Sequence, residues 1–116
     1  VVELQQSADG HYYIPGTING VPLQFMIDTG ASITTLKRDI ALAGGIRDCR
    51  AAKLNTANGV VDACIGLMPE MQIGPYMINN AEVASNPNTE LNLLGMNVLS
   101  QFQINTEKGV MRLTKQ

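Results

Sequence analysis

Asp28 stands at the end of the run Val21-Pro22-Leu23-Gln24-Phe25-Met26-Ile27, in which Val21, Leu23, Phe25 and Ile27 alternate with Pro22, Gln24 and Met26. That period of two belongs to a strand with one face in a core. A carboxylate at the end of such a strand is costly to bury without partners, so its presence asks for a chemical reason. The residues after it supply one. In Asp28-Thr29-Gly30-Ala31-Ser32, the glycine lets backbone N–H groups approach the carboxylate, and the Thr29 hydroxyl can fix the loop by hydrogen bonding. Such a loop suits an aspartate held rigidly for acid or base work.

Other chemistries fit less well. Phosphoryl-transfer aspartates carry a second Asp two residues on or a Lys directly after the nucleophile, whereas Thr29 and Gly30 follow Asp28. His11 is the single histidine, and neither Ser32 nor Cys49 nor Cys64 sits in a recognisable nucleophile motif, so His11 reads as a half-exposed strand residue. No His or Cys lies near enough to Cys49 and Cys64 to complete a zinc pattern. Met68, Met71 and Met77 read as core fillers.

Composition narrows the classes further. Hydrophobic residues are 45% of the 116 and charged residues 16%, the composition of a folded chain with a core of its own. One domain, 1–116, is the expectation. The net charge is −2 and the eight basic residues are scattered, apart from Lys37-Arg38 and the loose set Arg47, Arg50 and Lys53, so nucleic acid is excluded as a partner. No apolar run is long enough to span a bilayer. A start at Val1 suggests a fragment whose anchor or export signal lies outside it.

The elements that must position Asp28 are mostly short strands. Val1 to Gln5, His11 to Ile18 and Val21 to Ile27 are separated by Ala8-Asp9-Gly10 and by Asn19-Gly20, a hairpin turn signal. Ile33 to Leu36 is β-branched, and Lys37 to Ala43 predicts one or two helical turns ended by Gly44-Gly45. Residues 46–57 and 60–73 form a long hairpin with the tip Thr56-Ala57-Asn58-Gly59. With the turn centred on Asn58-Gly59, Cys64 faces Lys53 rather than Cys49, which favours two unpaired structural thiols and leaves a disulfide to a register slip or a bulge. A strand from Tyr76 to Ala84, a polar loop 85–90 and the apolar Leu91-Asn92-Leu93-Leu94-Gly95 follow. Met96 to Phe102 has helical spacing, and Gln103 to Leu113 predicts a last hairpin turned at Glu107-Lys108-Gly109. The whole predicts a mainly β barrel or sandwich.

Phe25 to Ser32 resembles the catalytic loop of the aspartic proteases: apolar-apolar-Asp-Thr-Gly-Ala followed by a small polar residue. Leu93-Leu94-Gly95 matches the family's late apolar-apolar-Gly element, which packs behind that loop. The hairpin at Thr56, Ala57, Asn58 and Gly59 lies where the family places its substrate flap, although the same tip reads equally well as an ordinary turn. In this order the motifs are similar to those of bacterial retropepsin-like proteases over nearly the whole chain.

The resemblance implies a retropepsin-like acid-protease barrel with one or two short helices, active as a C2 homodimer. Two carboxylates about 3 Å apart cannot both ionise, so they share a proton and divide the roles of acid and base. This chain carries one such loop, since Asp9, Asp39, Asp48 and Asp62 are not followed by Thr-Gly or Ser-Gly. The second Asp28 must therefore come from another copy across a twofold axis. By the same resemblance Thr29 bonds across that axis, Val1 to Leu4 and Met111 to Lys115 add interface strands, and no metal or cofactor takes part. The substrate is a peptide or protein, with subsites from residues such as Ile33, Ile46, Val60 and Met96. Family members are often membrane-anchored, which implies a bacterial chain with this domain in the periplasm. The alternative is a non-catalytic dimeric module of the same fold that binds or scaffolds peptides.

Overall fold

The structure is a computed structural model that describes residues 1–56 and 59–116. After β1 (Val2–Gln5), strands β2 (Tyr13–Ile18) and β3 (Val21–Ile27) form the expected hairpin. Asn19 and Gly20 take φ of 50° and 78°, and Ile18 lies opposite Val21. Between β1 and β2, the Asp9 carboxylate accepts the Tyr13 hydroxyl proton and the His11 N–H. These two bonds, the Tyr13 one foremost, pull Asp9 below its ordinary value, while the Asp9 carboxylate pushes Tyr13 up.

Next come β4 (Thr34–Lys37), α1 (Arg38–Ala43), β5 (Arg47–Thr56), β6 (Gly59–Ile73), β7 (Tyr76–Asn86), β8 (Asn92–Leu94), α2 (Met96–Leu99), β9 (Phe102–Glu107) and β10 (Val110–Lys115). Seven strands make one sheet in the order β2-β3-β8-β4-β7-β6-β5, and a further β2–β6 pairing closes it into a barrel. β1, β10 and β9 form a second sheet that joins the two ends of the chain. The last turn falls at Lys108-Gly109, both with positive φ, as expected. α2 is shorter than its sequence spacing predicts, because Phe102 leaves the helix to begin β9.

Ile14, Ile18, Phe25, Leu36, Met68, Met71, Val83 and Leu94 are fully buried in the barrel core. Met68 and Met71 thus fill the core, whereas Met77 is 50% exposed. The alternation predicted for β3 holds at Gln24 and Phe25 but ends at Met26, which is buried as well. Met26 pairs with Tyr13 on one side and with Leu93 of β8 on the other, and lines a cleft.

The expectation of two free thiols is corrected: Cys49 and Cys64 are disulfide-bonded, with their Cα atoms 5.4 Å apart. Two local features bring them together. Thr56 pairs with Gly59, so the partner of each β6 residue lies two residues earlier in β5 than a centre on Asn58-Gly59 would give, and Ala51 rather than Lys53 faces Cys64. The register then shifts between Arg47 and Arg50, where Asp48 takes a φ of 55°, and this irregularity moves Cys49 towards Cys64. Closing a loop of this size is worth about 3 kcal/mol in the chain-entropy account. Replacing both cysteines with alanine is therefore expected to lower the urea-unfolding free energy by about 2–3 kcal/mol. A change below about 0.5 kcal/mol would show that the bridge does not constrain the unfolded chain.

Candidate active site

β3 ends at Ile27, which lies beside Leu94 of the parallel strand β8. That pairing carries Asp28 to the sheet's end, where its N–H donates to the Leu94 carbonyl at 3.0 Å. The loop then folds back on its own carboxylate. The Gly30 N–H donates to Asp28 Oδ1 at 3.0 Å, and the Ala31 N–H to the Asp28 carbonyl at 3.2 Å. A Cβ on residue 30 would lie 3.3 Å from Oδ1, so the absence of a side chain eases the approach of this N–H. Asp28 is half-buried, while Thr29, Gly30 and Ser32 are exposed on this chain.

The start of α2 holds the far side of the loop. The Met96 N–H donates to the Ala31 carbonyl at 2.7 Å, and the Asn97 N–H to the Ser32 carbonyl at 3.2 Å. Gly95 makes the packing possible: a Cβ there would fall 2.5 Å from the Ile33 carbonyl carbon. The Asp28–Ser32 loop and the Leu93–Gly95 element, far apart in the chain, are therefore in direct contact. Leu94 and Gly95 are buried; Leu93 is half-buried and pairs with both Met26 and Thr35.

A cleft of about 760 Å³ opens over Asp28. Gly30, Ala31, Ser32 and Ile33 form one wall with Asp28. The β5–β6 hairpin contributes Lys53, Leu54, Asn55, Thr56 and Val61, and the segment after β7 contributes Asn88, Thr89 and Leu91. Of the flap residues expected from sequence, Thr56 lines the cleft and donates its hydroxyl to the Gly59 carbonyl at 2.7 Å. Gly59 takes a φ of 104°, and Ala57 and Asn58 lie outside the described residues.

The expected subsites are only partly placed there. Ile33 lines the cleft, but Ile46 packs against the core, and Val60 and Met96 are not among the lining residues. Val61, which pairs with Leu54 of β5, lines the cleft where Val60 was expected. Thr34 and Asn97, which bond to each other behind the loop, escaped sequence reasoning; a lone Asn in the apolar α2 is the one signal that could have found them.

The family model for gag-polyprotein aspartyl proteases matches residues 14–101, a span that includes the Asp28 loop, the hairpin and Leu93–Gly95. The chain belongs to the retropepsin-like aspartic proteases. A solved retropepsin-like aspartic protease from Rickettsia conorii superposes with a TM-score of 0.82 at 28% identity, covering 97% of this chain and 88% of that one. An uncharacterized protein of Rickettsia prowazekii (strain Madrid E) is 34% identical over 86% of the chain and 45% of its own length. An uncharacterized protein in the cobV 5′ region of Sinorhizobium sp is 33% identical over 89% of the chain and 46% of its own. The chain thus spans less than half the length of the curated relatives it matches. Its retropepsin-like barrel is the part of those longer proteins that it covers.

Proposed function

We propose that this retropepsin-like chain is one subunit of a homodimeric aspartic endopeptidase whose active site joins two copies of Asp28. The observation that carries this reading is a carboxylate fixed by the Gly30 N–H on the floor of a cleft that can hold an extended peptide. Each chain supplies one such loop. In the dimer the two carboxylates share a proton: the ionised one takes a proton from a bound water, which attacks the peptide carbonyl, and the protonated one donates to the carbonyl oxygen. The carbon becomes tetrahedral, and its collapse expels the amine with the proton returned to it. The apparent pKa values of this step belong to the pair.

Thr29 is exposed beside Asp28, and in this reading it bonds across the twofold axis. The β5–β6 hairpin, tied by its disulfide, closes over the substrate as the flap. Such a bridge suits an oxidising compartment, in keeping with a periplasmic domain anchored from a segment outside this sequence. Incubation with a peptide library from acid to neutral pH, with Asp28→Asn alongside and sedimentation of the same samples, tests the proposal. Cleavage that requires Asp28 and tracks the dimer is expected. A dimer with no Asp28-dependent cleavage at any pH leaves the peptide-binding module as the reading, and cleavage by a strict monomer excludes the shared site.

A further inference from the structure

Asp28 is held from behind by one side of a single peptide unit. The Leu94 carbonyl accepts the Asp28 N–H at 3.0 Å, and the Gly95 N–H, on the opposite edge of the same planar unit, donates to Thr34 Oγ1 at 3.1 Å. Any tilt of that plane moves both bonds together. Thr34 is fully buried in β4, and its hydroxyl donates to Asn97 Oδ1 at 2.9 Å. The Thr34 N–H donates to the same oxygen at 2.8 Å. With its one hydrogen committed to Asn97, the hydroxyl presents a lone pair to Gly95.

The orientation of Asn97 is itself determined. Its Oδ1 meets two donors from Thr34, while its Nδ2 donates to the Glu82 carbonyl of β7 at 2.7 Å. Turning the amide over would set donors against donors and oxygen against oxygen. Among the described residues no buried side-chain polar atom is left without a partner, so this network is complete.

We propose that Thr34 and Asn97 are positioning residues for Asp28, acting through the Leu94–Gly95 peptide plane to fix where the carboxylate emerges into the cleft. This rests on the reading of Asp28 as half of a shared catalytic pair. Neither residue lines the cleft. Their effect is confined to the placement of the reacting group, and a pair of carboxylates sharing one proton is sensitive to it because a displacement of about 1 Å costs on the order of 100-fold. The dimer would contain the network twice.

The test compares the parent chain with Thr34→Val, which removes the hydroxyl at nearly constant shape, and with Thr34→Ser, which keeps it. Asp28→Asn sets the baseline. Rates are normalised to folded dimer by sedimentation, and Asp28 amide hydrogen exchange is followed by NMR on the same proteins. Thr34→Val is expected to lower kcat by about 10- to 100-fold with KM within about threefold. Its Asp28 amide should exchange about fivefold faster. Thr34→Ser should restore both to within about threefold of the parent. An unchanged kcat per folded dimer in Thr34→Val, or an equal loss in Thr34→Ser, overturns the proposal. If the parent shows no Asp28-dependent cleavage, the catalytic reading fails by itself and the exchange data decide the rest. Faster Asp28 exchange in Thr34→Val then upholds the positioning, and unchanged exchange overturns it.

Discussion

Mixed with an equal amount of the Asp28→Asn variant and left to exchange subunits, the sample is expected to show about a quarter of the peptidase activity of the same total amount of parent protein, rather than half. If the two carboxylates form one site, a dimer with a single Asp28 lacks either the acid or the base. Random pairing leaves about one dimer in four with both. The variant alone should fall by at least about 10³-fold, because both carboxylates are lost and general acid–base assistance is worth about 10² to 10⁴. Asn differs from Asp by one group and can still accept the Gly30 N–H through its carbonyl oxygen, so the loop should survive the change. Activity that falls in proportion to the parent fraction, to about half, would instead assign each chain a complete site. The measurement is a cleavage assay against mixing ratio, with exchange verified by mass spectrometry of differently labelled chains.

What was readable in the sequence, and what was not, divides along the distance between the interacting residues. The Asn19-Gly20 and Lys108-Gly109 turns were legible because positive φ is a property of one or two residues and their side chains. The Asp28 loop and Leu94-Gly95 were legible as separate motifs. Their contact was implied by the family resemblance, and the structure supplies its atoms: the Asp28 N–H on Leu94 and the backbone of Ile33 against Gly95. The disulfide was missed because pairing depends on register. A two-residue displacement of the β5–β6 pairing and an irregularity at Asp48, each small in itself, together exchange a pair of separated thiols for a bonded one. Asn97 and Thr34 were missed for a related reason. Nothing in the local pattern of either residue announces a partner in another strand or helix, and their bond exists only once β4, β8 and α2 have packed. Met26 shows the same limit from the other side, since a two-residue period cannot reveal that both faces of β3 become covered at its end.

Gly95→Ala is expected to lower stability by about 3 kcal/mol. The reason is space and not backbone conformation. Gly95 has φ of −95° and ψ of 177°, a conformation open to any residue. A Cβ there, however, would meet the Ile33 carbonyl carbon at 2.5 Å, the Ile33 oxygen at 2.6 Å and the Thr34 nitrogen at 2.8 Å. All three are backbone atoms in or beside β4, so no rotamer change relieves the contact; β4 and β8 must separate. That separation breaks the Gly95 N–H bond to Thr34 and shifts the Leu94 carbonyl on which Asp28 hangs. Activity should therefore fall with stability and not recover when the variant is assayed well below its melting temperature. Gly20→Ala supplies the contrast. Its Cβ would meet nothing within 4 Å, and the cost there comes from a φ of +78°, about 1–2 kcal/mol, with the Asp28 loop untouched. Thermal unfolding should place Gly95→Ala roughly 10 °C or more below the parent and Gly20→Ala at most about half as far, with near-parent cleavage by the folded Gly20 variant. A Gly95→Ala protein that melts within about 2 °C of the parent and cleaves normally would mean that β8 does not sit against β4 as closely as these distances require.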